Sequence, residues 1–70
     1  MSMKTISGKM MCKILEDKGW KLARITGSHY IYIADGKNVR ITIPVHGNQD
    51  LKTGLQKFIM KLADIREEEL

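Results

Sequence analysis

Apolar residues first recur along the chain at the spacing of a helix. After Ser7, apolar residues occur at Met10, Met11, Ile14 and Leu15. Each residue of the first pair is therefore three or four positions from a residue of the second pair. This spacing predicts an amphipathic helix with these residues in the core. Ser7 is a good N-cap, since its hydroxyl can accept an amide hydrogen of the first turn. Lys18 and Gly19 then supply a cation and a glycine where the helix should end.

From residue 20 the pattern changes to short runs rich in β-branched and aromatic side chains. The runs cover residues 20–26, 29–34 and 38–43. Gly27-Ser28 and Asp35-Gly36 separate them, and such dipeptides are typical of two-residue hairpin turns. Three antiparallel strands joined by two tight hairpins are therefore predicted.

A second helix is predicted after the strands. Pro44 ends the third run, and a polar loop follows over residues 45–52. Apolar residues then recur at helical spacing at Leu55, Phe58, Ile59 and Leu62. The order α-β-β-β-α predicts a single α+β domain over residues 1–70, a three-stranded antiparallel sheet with two helices on one face.

Two-residue hairpins would fix which side chains share each face of the sheet. Thr26 would lie opposite His29, Leu22 opposite Ile33, and Tyr32 opposite Val39. The more apolar face, expected under the helices, carries Ala23, Ile25, Tyr30, Tyr32, Val39, Ile41 and Ile43. The opposite face carries Leu22, Arg24, His29, Ile31, Ile33, Arg40 and Thr42. Its mixture of cations, a histidine and aliphatic residues is unusual for a surface without a ligand.

Composition narrows the class of protein. The 70 residues contain one cysteine, Cys12, and two histidines, which excludes an internal disulfide and argues against structural zinc. No apolar run approaches the roughly 18 residues of a membrane span, and the first residues lack the apolar core of a signal peptide. The expectation is a small soluble protein of a reducing cytoplasm, with no metal, cofactor or membrane partner.

Charge is divided unevenly along the chain. The net charge is +4, with +7 over residues 1–63 and −3 over residues 64–70. A basic body of this kind attracts polyanions, of which nucleic acid is the commonest in a cytoplasm. A solubility charge without a ligand is the alternative that charge alone leaves open.

Short motifs distributed over nearly the whole chain make the sequence resemble the HicA family of toxins. The central motif is Gly27-Ser28-His29, followed by the run Ile41-Thr42-Ile43-Pro44-Val45-His46. The other matching positions are Gly8-Lys9, residues 15–20, Arg24, Asp35-Gly36, Gly54, Ile65 and residues 68–70. Two positions depart from the family pattern: Asp64 stands where a helix-ending glycine is frequent, and Trp20 replaces a phenylalanine.

The resemblance implies a fold like that of double-stranded-RNA-binding domains and an mRNA interferase activity, without metal or cofactor. It also implies a HicB-type antitoxin as the neutralising partner, and it makes His29 the catalytic residue. A histidine suits this reaction because RNA carries its own nucleophile, the 2′-hydroxyl, so cleavage needs proton transfer and charge stabilisation. An imidazole, with an ordinary pKa near ~6.5, transfers protons at neutral pH.

Other residues are candidates for binding RNA. The amides of Gly27 and Ser28 and the Ser28 hydroxyl can donate to a phosphate oxygen. Cations that can follow the RNA backbone, or are simply solvated, are Lys9, Lys13, Lys21, Arg24 and Arg40. His46 is either a second proton-transfer group or a residue that braces its loop, and bracing is favoured. Tyr30 and Tyr32 can stack on bases, but the register places them in the core, and Cys12 is expected to be a packing residue.

Three functions stay open on the sequence alone. The leading one is a metal-independent endoribonuclease that acts as a toxin. The second is a non-catalytic RNA-binding module of the same fold. The third is a protein-interaction domain, suggested by the exposed positions expected for Leu22, Ile31 and Ile33. An antitoxin is expected to cover the face that carries His29, since a partner buried there would exclude RNA.

Overall fold

The computed structural model of the chain describes residues 3–70 and confirms the α-β-β-β-α order. The elements are α1 Gly8–Asp17, β1 Lys21–Thr26, β2 His29–Ile33, β3 Ile41–Pro44 and α2 Thr53–Ala63. A 3₁₀ turn at Glu67–Glu69, which the sequence pattern did not predict, follows α2. The strands form one antiparallel sheet in the order β1-β2-β3. Of the single domain predicted over residues 1–70, residues 1 and 2 lie outside the described residues.

Helix α1 begins and ends where the sequence predicts. The Ser7 hydroxyl accepts a hydrogen bond from the Met10 amide at 3.1 Å, as an N-cap does. At the other end Gly19 has a φ of +97°, and the Trp20 amide donates to the Leu15 carbonyl at 2.9 Å. Gly19 therefore turns the chain directly from the helix into β1.

The first hairpin has the predicted register near its turn and a different one further away. Thr26 lies opposite His29 and Arg24 opposite Ile31, as expected. A bulge between Leu22 and Arg24 then places Leu22 opposite Tyr32 instead of Ile33. Because a bulge inserts one extra residue, Leu22 moves to the side of α1 and Ala23 to the open face. The prediction for these two residues was wrong.

The loop of the second hairpin is longer than predicted. An Ala34–Lys37 turn forms around Asp35-Gly36, with the Lys37 amide donating to the Ala34 carbonyl at 3.2 Å. The strand β3 begins only at Ile41, so Tyr32 lies opposite Ile41 and not opposite Val39. Val39 is therefore a loop residue with 41% of its surface exposed, not a member of the covered face. The shift is two residues, which leaves the faces of β3 as predicted.

The helices cover the sheet face that contains Tyr32, Ile41 and Ile43, all of which are buried. The buried residues of α1 are Gly8, Met11, Cys12 and Leu15. Met10 falls outside this stripe and is 48% exposed, so its assignment to the core was wrong. Among residues 3–70 no helix is long and apolar enough to cross a bilayer.

Helix α2 buries most of the face that its apolar pattern predicts, with Gln56 buried and Phe58 exposed. Phe58 is 58% exposed, whereas Gln56 is fully buried. The Gln56 side chain donates to the Lys4 carbonyl at 2.7 Å and accepts from the Ile6 amide at 2.9 Å. These hydrogen bonds satisfy a buried amide and turn Phe58 toward solvent, while Leu55, Ile59 and Leu62 still contact the core.

Helix α2 ends in the manner of a glycine-terminated helix although the residue is Asp64. Asp64 adopts the left-handed conformation, with a φ of 55°, and the Ile65 amide donates to the Met60 carbonyl at 2.9 Å. The Lys18 ammonium donates to the Asp64 carbonyl at 3.2 Å and pairs with Glu69 at 2.8 Å. The hydrogen bond from Lys18 lowers the pKa of Glu69. The acidic end of the chain is thus attached to the end of α1.

Candidate functional site

His29 is the first residue of the central strand and is exposed to solvent. Thr26 of β1 and Pro44 of β3 lie opposite it on either side. Because side chains alternate along a strand, His29 shares its face with Ile31 and Ile33, which line a cavity on the open side of the sheet. The imidazole is therefore on the face that the helices leave uncovered, as the sequence predicts.

The turn before His29, which joins β1 to β2, is hydrogen-bonded to the residue that follows β3. Gly27 has a φ of +58°, a conformation that glycine adopts without steric cost. The Ser28 carbonyl accepts a hydrogen bond from the Val45 amide at 2.8 Å. The turn is thereby held against the end of β3, which fixes the position from which the His29 side chain projects. Binding of a phosphate by Gly27 and Ser28 stays a prediction.

The predicted RNA-binding cations fall into two groups on opposite sides of the sheet. Arg24 and Arg40 are exposed and line a cavity of about 440 Å³ on the open face, together with Ala23, Ile31 and Ile33. Lys9 is exposed on the first turn of α1, on the helix side. Lys21 lies 4.0 Å from the carboxylate of Asp35. Arg24 and Arg40 therefore lie on the same face of the sheet as His29.

The helix side carries a larger cavity, of about 610 Å³, which we call the α1 groove. It is lined by Lys9, Cys12, Lys13, Glu16, Leu22, Tyr30, Tyr32, Val45, Gly47 and Asn48. His29 lines neither this groove nor the open-face cavity. Lys9 and Lys13 were named from the sequence as candidates for RNA binding, which stays a prediction, and Asn48 was not singled out, because a loop asparagine gives no signal in a hydrophobic pattern. Tyr30 was assigned to the core, and it is half-buried.

The wall of the α1 groove contains a partly buried polar contact that the sequence did not indicate. The Tyr32 hydroxyl donates to the Glu16 carboxylate at 2.6 Å. Burial, followed by this hydrogen bond, raises the pKa of Tyr32, and burial raises the pKa of the Cys12 thiol. Both groups are therefore protonated at neutral pH, which favours the packing role expected of Cys12 over a nucleophilic one.

His46 lies in the loop after β3 and is exposed. Its carbonyl accepts a hydrogen bond from the Gln49 amide at 3.0 Å, and Gly47 within this turn has a φ of +58°. The imidazole lines a small cavity that it shares with Pro44 and Asp50 but not with His29. The backbone of His46 thus stabilises the loop, and a role for its side chain stays a prediction.

No three His, Cys, Asp or Glu side chains within residues 3–70 are grouped so that they can hold a metal ion.

Fold and site together define a small α+β protein with an exposed histidine on a basic sheet face. The model of the family described as HicA toxin of bacterial toxin-antitoxin matches residues 8–65. The chain belongs to the HicA toxin family. No curated protein matches the sequence. The matched segment includes His29, the Gly27-Ser28 turn and the basic residues of both cavities.

Proposed function

We propose that this protein is a metal-independent endoribonuclease that cleaves mRNA and acts as the toxin of a toxin–antitoxin pair in the cytoplasm. Its membership of the HicA toxin family supports the toxin role. The observation that carries the catalytic assignment is the position of His29, exposed at the start of the central strand on the uncovered face. An imidazole there is accessible to a large polyanionic substrate.

The proposed reaction uses the nucleophile that RNA itself contains. The 2′-oxygen attacks the adjacent phosphorus, the bond to the 5′-oxygen breaks, and a 2′,3′-cyclic phosphate and a 5′-hydroxyl result. His29 serves as general acid or base: it takes the proton from the 2′-hydroxyl or gives one to the departing 5′-oxygen. Water completes the other proton transfer. This chemistry requires no metal ion, because hydrogen-bond donors stabilise the negative charge that develops on the non-bridging oxygens of the phosphate.

Donors for that charge are available close to His29. The Gly27 and Ser28 amides lie in the turn that precedes it, and Ser28, which also carries a hydroxyl, is half-buried. Arg24 and Arg40 supply positive charge on the same face, and Lys9 supplies it on the helix side. We assign phosphate binding to these five residues and the proton transfer to His29. His46 is assigned to its loop, where its carbonyl accepts the hydrogen bond from the Gln49 amide.

Cleavage of RNA in excess EDTA tests the proposal. The purified protein is incubated with a labelled RNA, and binding of the same RNA is measured by gel shift. The expected result is cleavage that EDTA does not slow. If the protein binds the RNA and leaves it intact with or without divalent ions, the protein is a non-catalytic RNA-binding module and the proposal fails.

The open face also supports a partner assignment, a HicB-type antitoxin that covers His29. Ile33 is 43% exposed there, Ile31 is half-buried, and Arg24 and Arg40 line the same cavity. Aliphatic side chains between two cations suit a partner surface that is apolar at its centre and acidic at its rim. A protein bound on this face would deny RNA access to His29.

Charge reversal at Arg24 is expected to weaken antitoxin binding. Arg24→Glu should raise the dissociation constant by about tenfold and make it less sensitive to salt, since complementary charge at an interface is removed. Lys61→Glu, which makes the same charge change on α2, is the control and should have little effect. Isothermal titration at two salt concentrations measures both. An antitoxin that binds Arg24→Glu normally, and leaves wild-type cleavage intact, contradicts inhibition by masking.

A further inference from the structure

The α1 groove is a surface that the proposed reaction leaves almost unused. It is separate from the open-face cavity, and of its lining residues only Lys9 has a role in the proposed function. Three parts of the fold contribute to it: one side of α1, the sheet residues Leu22 and Tyr30, and the loop after β3. Its volume of about 610 Å³ lies within the range of small-ligand sites.

The charged residues at the groove favour an anion. Lys9 and Lys13 are four positions apart on α1, which places them on the same side of the helix, and both are exposed. The acidic residue of the groove is Glu16, and its carboxylate already accepts the hydrogen bond from Tyr32. Two ammonium groups along one wall can contact successive phosphates of a nucleic-acid strand.

The remaining lining residues favour a nucleobase between those phosphates. Tyr30 is half-buried and packs against the core, which holds its ring in a fixed position along the groove. Asn48 is exposed in the loop across the groove, and its amide has both donors and acceptors for a base edge. Aromatic rings with neighbouring cations are the usual means by which proteins bind unpaired bases.

The groove adjoins the candidate catalytic residue. Tyr30 directly follows His29 in β2, with its side chain on the other face of the sheet. Val45, which lines the groove, donates to the Ser28 carbonyl of the turn that carries His29. The groove therefore extends to the end of the sheet at which His29 lies, on the opposite face of β2.

We infer that the α1 groove binds one unpaired nucleotide of the RNA substrate, next to the cleaved bond. The base stacks on Tyr30, Lys9 and Lys13 contact its flanking phosphates, and Asn48 hydrogen-bonds to the base edge. The inference rests on the proposed function for the identity of the ligand as RNA. It adds a requirement that the fold alone does not impose: the bound nucleotide must be single-stranded, because a paired base cannot leave its stack to enter the groove.

Binding of an RNA that the proposed reaction cannot cut tests this inference separately from catalysis. The probe is a short fluorescein-labelled 2′-O-methyl oligoribonucleotide without self-complementarity, and affinity is measured by fluorescence anisotropy at several salt concentrations. The double variant Lys9→Ala/Lys13→Ala should bind it about tenfold more weakly or worse, with a salt slope smaller by roughly one for each phosphate that is no longer neutralised. Lys57→Ala/Lys61→Ala on α2 removes the same charge outside the groove and should bind nearly as wild type does.

The ring of Tyr30 is tested in the same assay. Tyr30→Leu should weaken binding by about tenfold because the base can no longer stack, and Tyr30→Phe should keep wild-type affinity. Thermal melts check that the variants fold; if Tyr30→Leu does not, the two lysine double variants decide the matter.

Three results would overturn the inference: equal losses of affinity in the two lysine double variants, undiminished binding by folded Tyr30→Leu, or equal competition by a duplex of the same sequence. Groove-dependent binding by a protein that cuts no RNA would support the groove and refute the endoribonuclease.

Discussion

His29→Ala is expected to cleave RNA at least about 100-fold more slowly than the wild type, the usual contribution of a positioned general acid or base. The variant should remain folded, because His29 is exposed and its removal leaves no cavity in the core. A surface change of this kind costs no more than about 1 kcal/mol of unfolding free energy. Binding of RNA should change little, since phosphate contacts supply most of the affinity. The same variant should no longer inhibit growth when expressed.

The matched control for this prediction is His46→Ala. It removes the other imidazole of the chain, which is also exposed and lies in the loop after β3. It should retain at least about a third of the wild-type rate, since its side chain has no assigned part in proton transfer. Initial rates, thermal melts and gel shifts on the three proteins separate catalysis from folding and binding. A folded His29→Ala protein that cleaves at the wild-type rate would refute the assignment and direct attention to His46.

Among substitutions that add one methyl group to a helix, Gly8→Ala is expected to cause the largest loss of stability. A Cβ atom at Gly8 would overlap the Pro44 carbonyl oxygen and lie 3.3 Å from the Ile43 side chain. The first of these is a backbone atom, so α1 and the end of β3 must move apart. Such overpacking costs about 1–3 kcal/mol or more, a large part of the stability of a domain this small.

Gly54→Ala in α2 is the control for Gly8→Ala, because a Cβ atom at Gly54 meets nothing within 4 Å. That substitution should be neutral or stabilise the fold by up to about 1 kcal/mol, as alanine favours helices. Urea unfolding of the three proteins measures both effects. Equal unfolding free energies for Gly8→Ala and the wild type would show that α1 does not contact Pro44 as described. Since Pro44 lies opposite His29, the Gly8 variant should also cleave poorly when folded.

Local signals in the sequence predicted the parts of the fold that depend on neighbouring residues. The N-cap Ser7, the stop at Gly19 and the Gly27-Ser28 turn each act within a few positions, and all three are observed. The bulge at Leu22 and the late start of β3 at Ile41 were not predicted. Both depend on how the strands fit beneath the helices, which no short sequence window contains.

The burial of Gln56 in the core is another feature that short-range sequence signals could not predict. The hydrophobic pattern of α2 predicts Phe58 on the buried side of the helix, whereas Gln56 is the residue that is fully buried. The partners that make burial of Gln56 possible are backbone groups of Lys4 and Ile6, about fifty positions away. A buried amide whose hydrogen bonds are satisfied is stable, but its partners are visible only in the folded chain.

In the candidate site, too, the parts carried by a short motif could be predicted and the parts assembled from distant residues could not. His29 and its turn could be proposed from the sequence because they form one contiguous motif, Gly27-Ser28-His29. The α1 groove was missed because its walls come from a helix, two strands and a loop. Its aromatic residue, Tyr30, was treated as core, and the half-buried position that the structure gives it is compatible with both packing and stacking.

One substrate substitution tests the central claim most directly, namely that His29 promotes attack by the 2′-hydroxyl of the RNA without metal. Cleavage positions are first mapped on an RNA in excess EDTA, and the RNA is then made with a single 2′-deoxynucleotide on the 5′ side of one cleaved bond. The wild-type protein should leave that bond intact and cut the others at unchanged rates, because only the internal nucleophile is missing. Cleavage of the substituted bond at the normal rate would contradict the account.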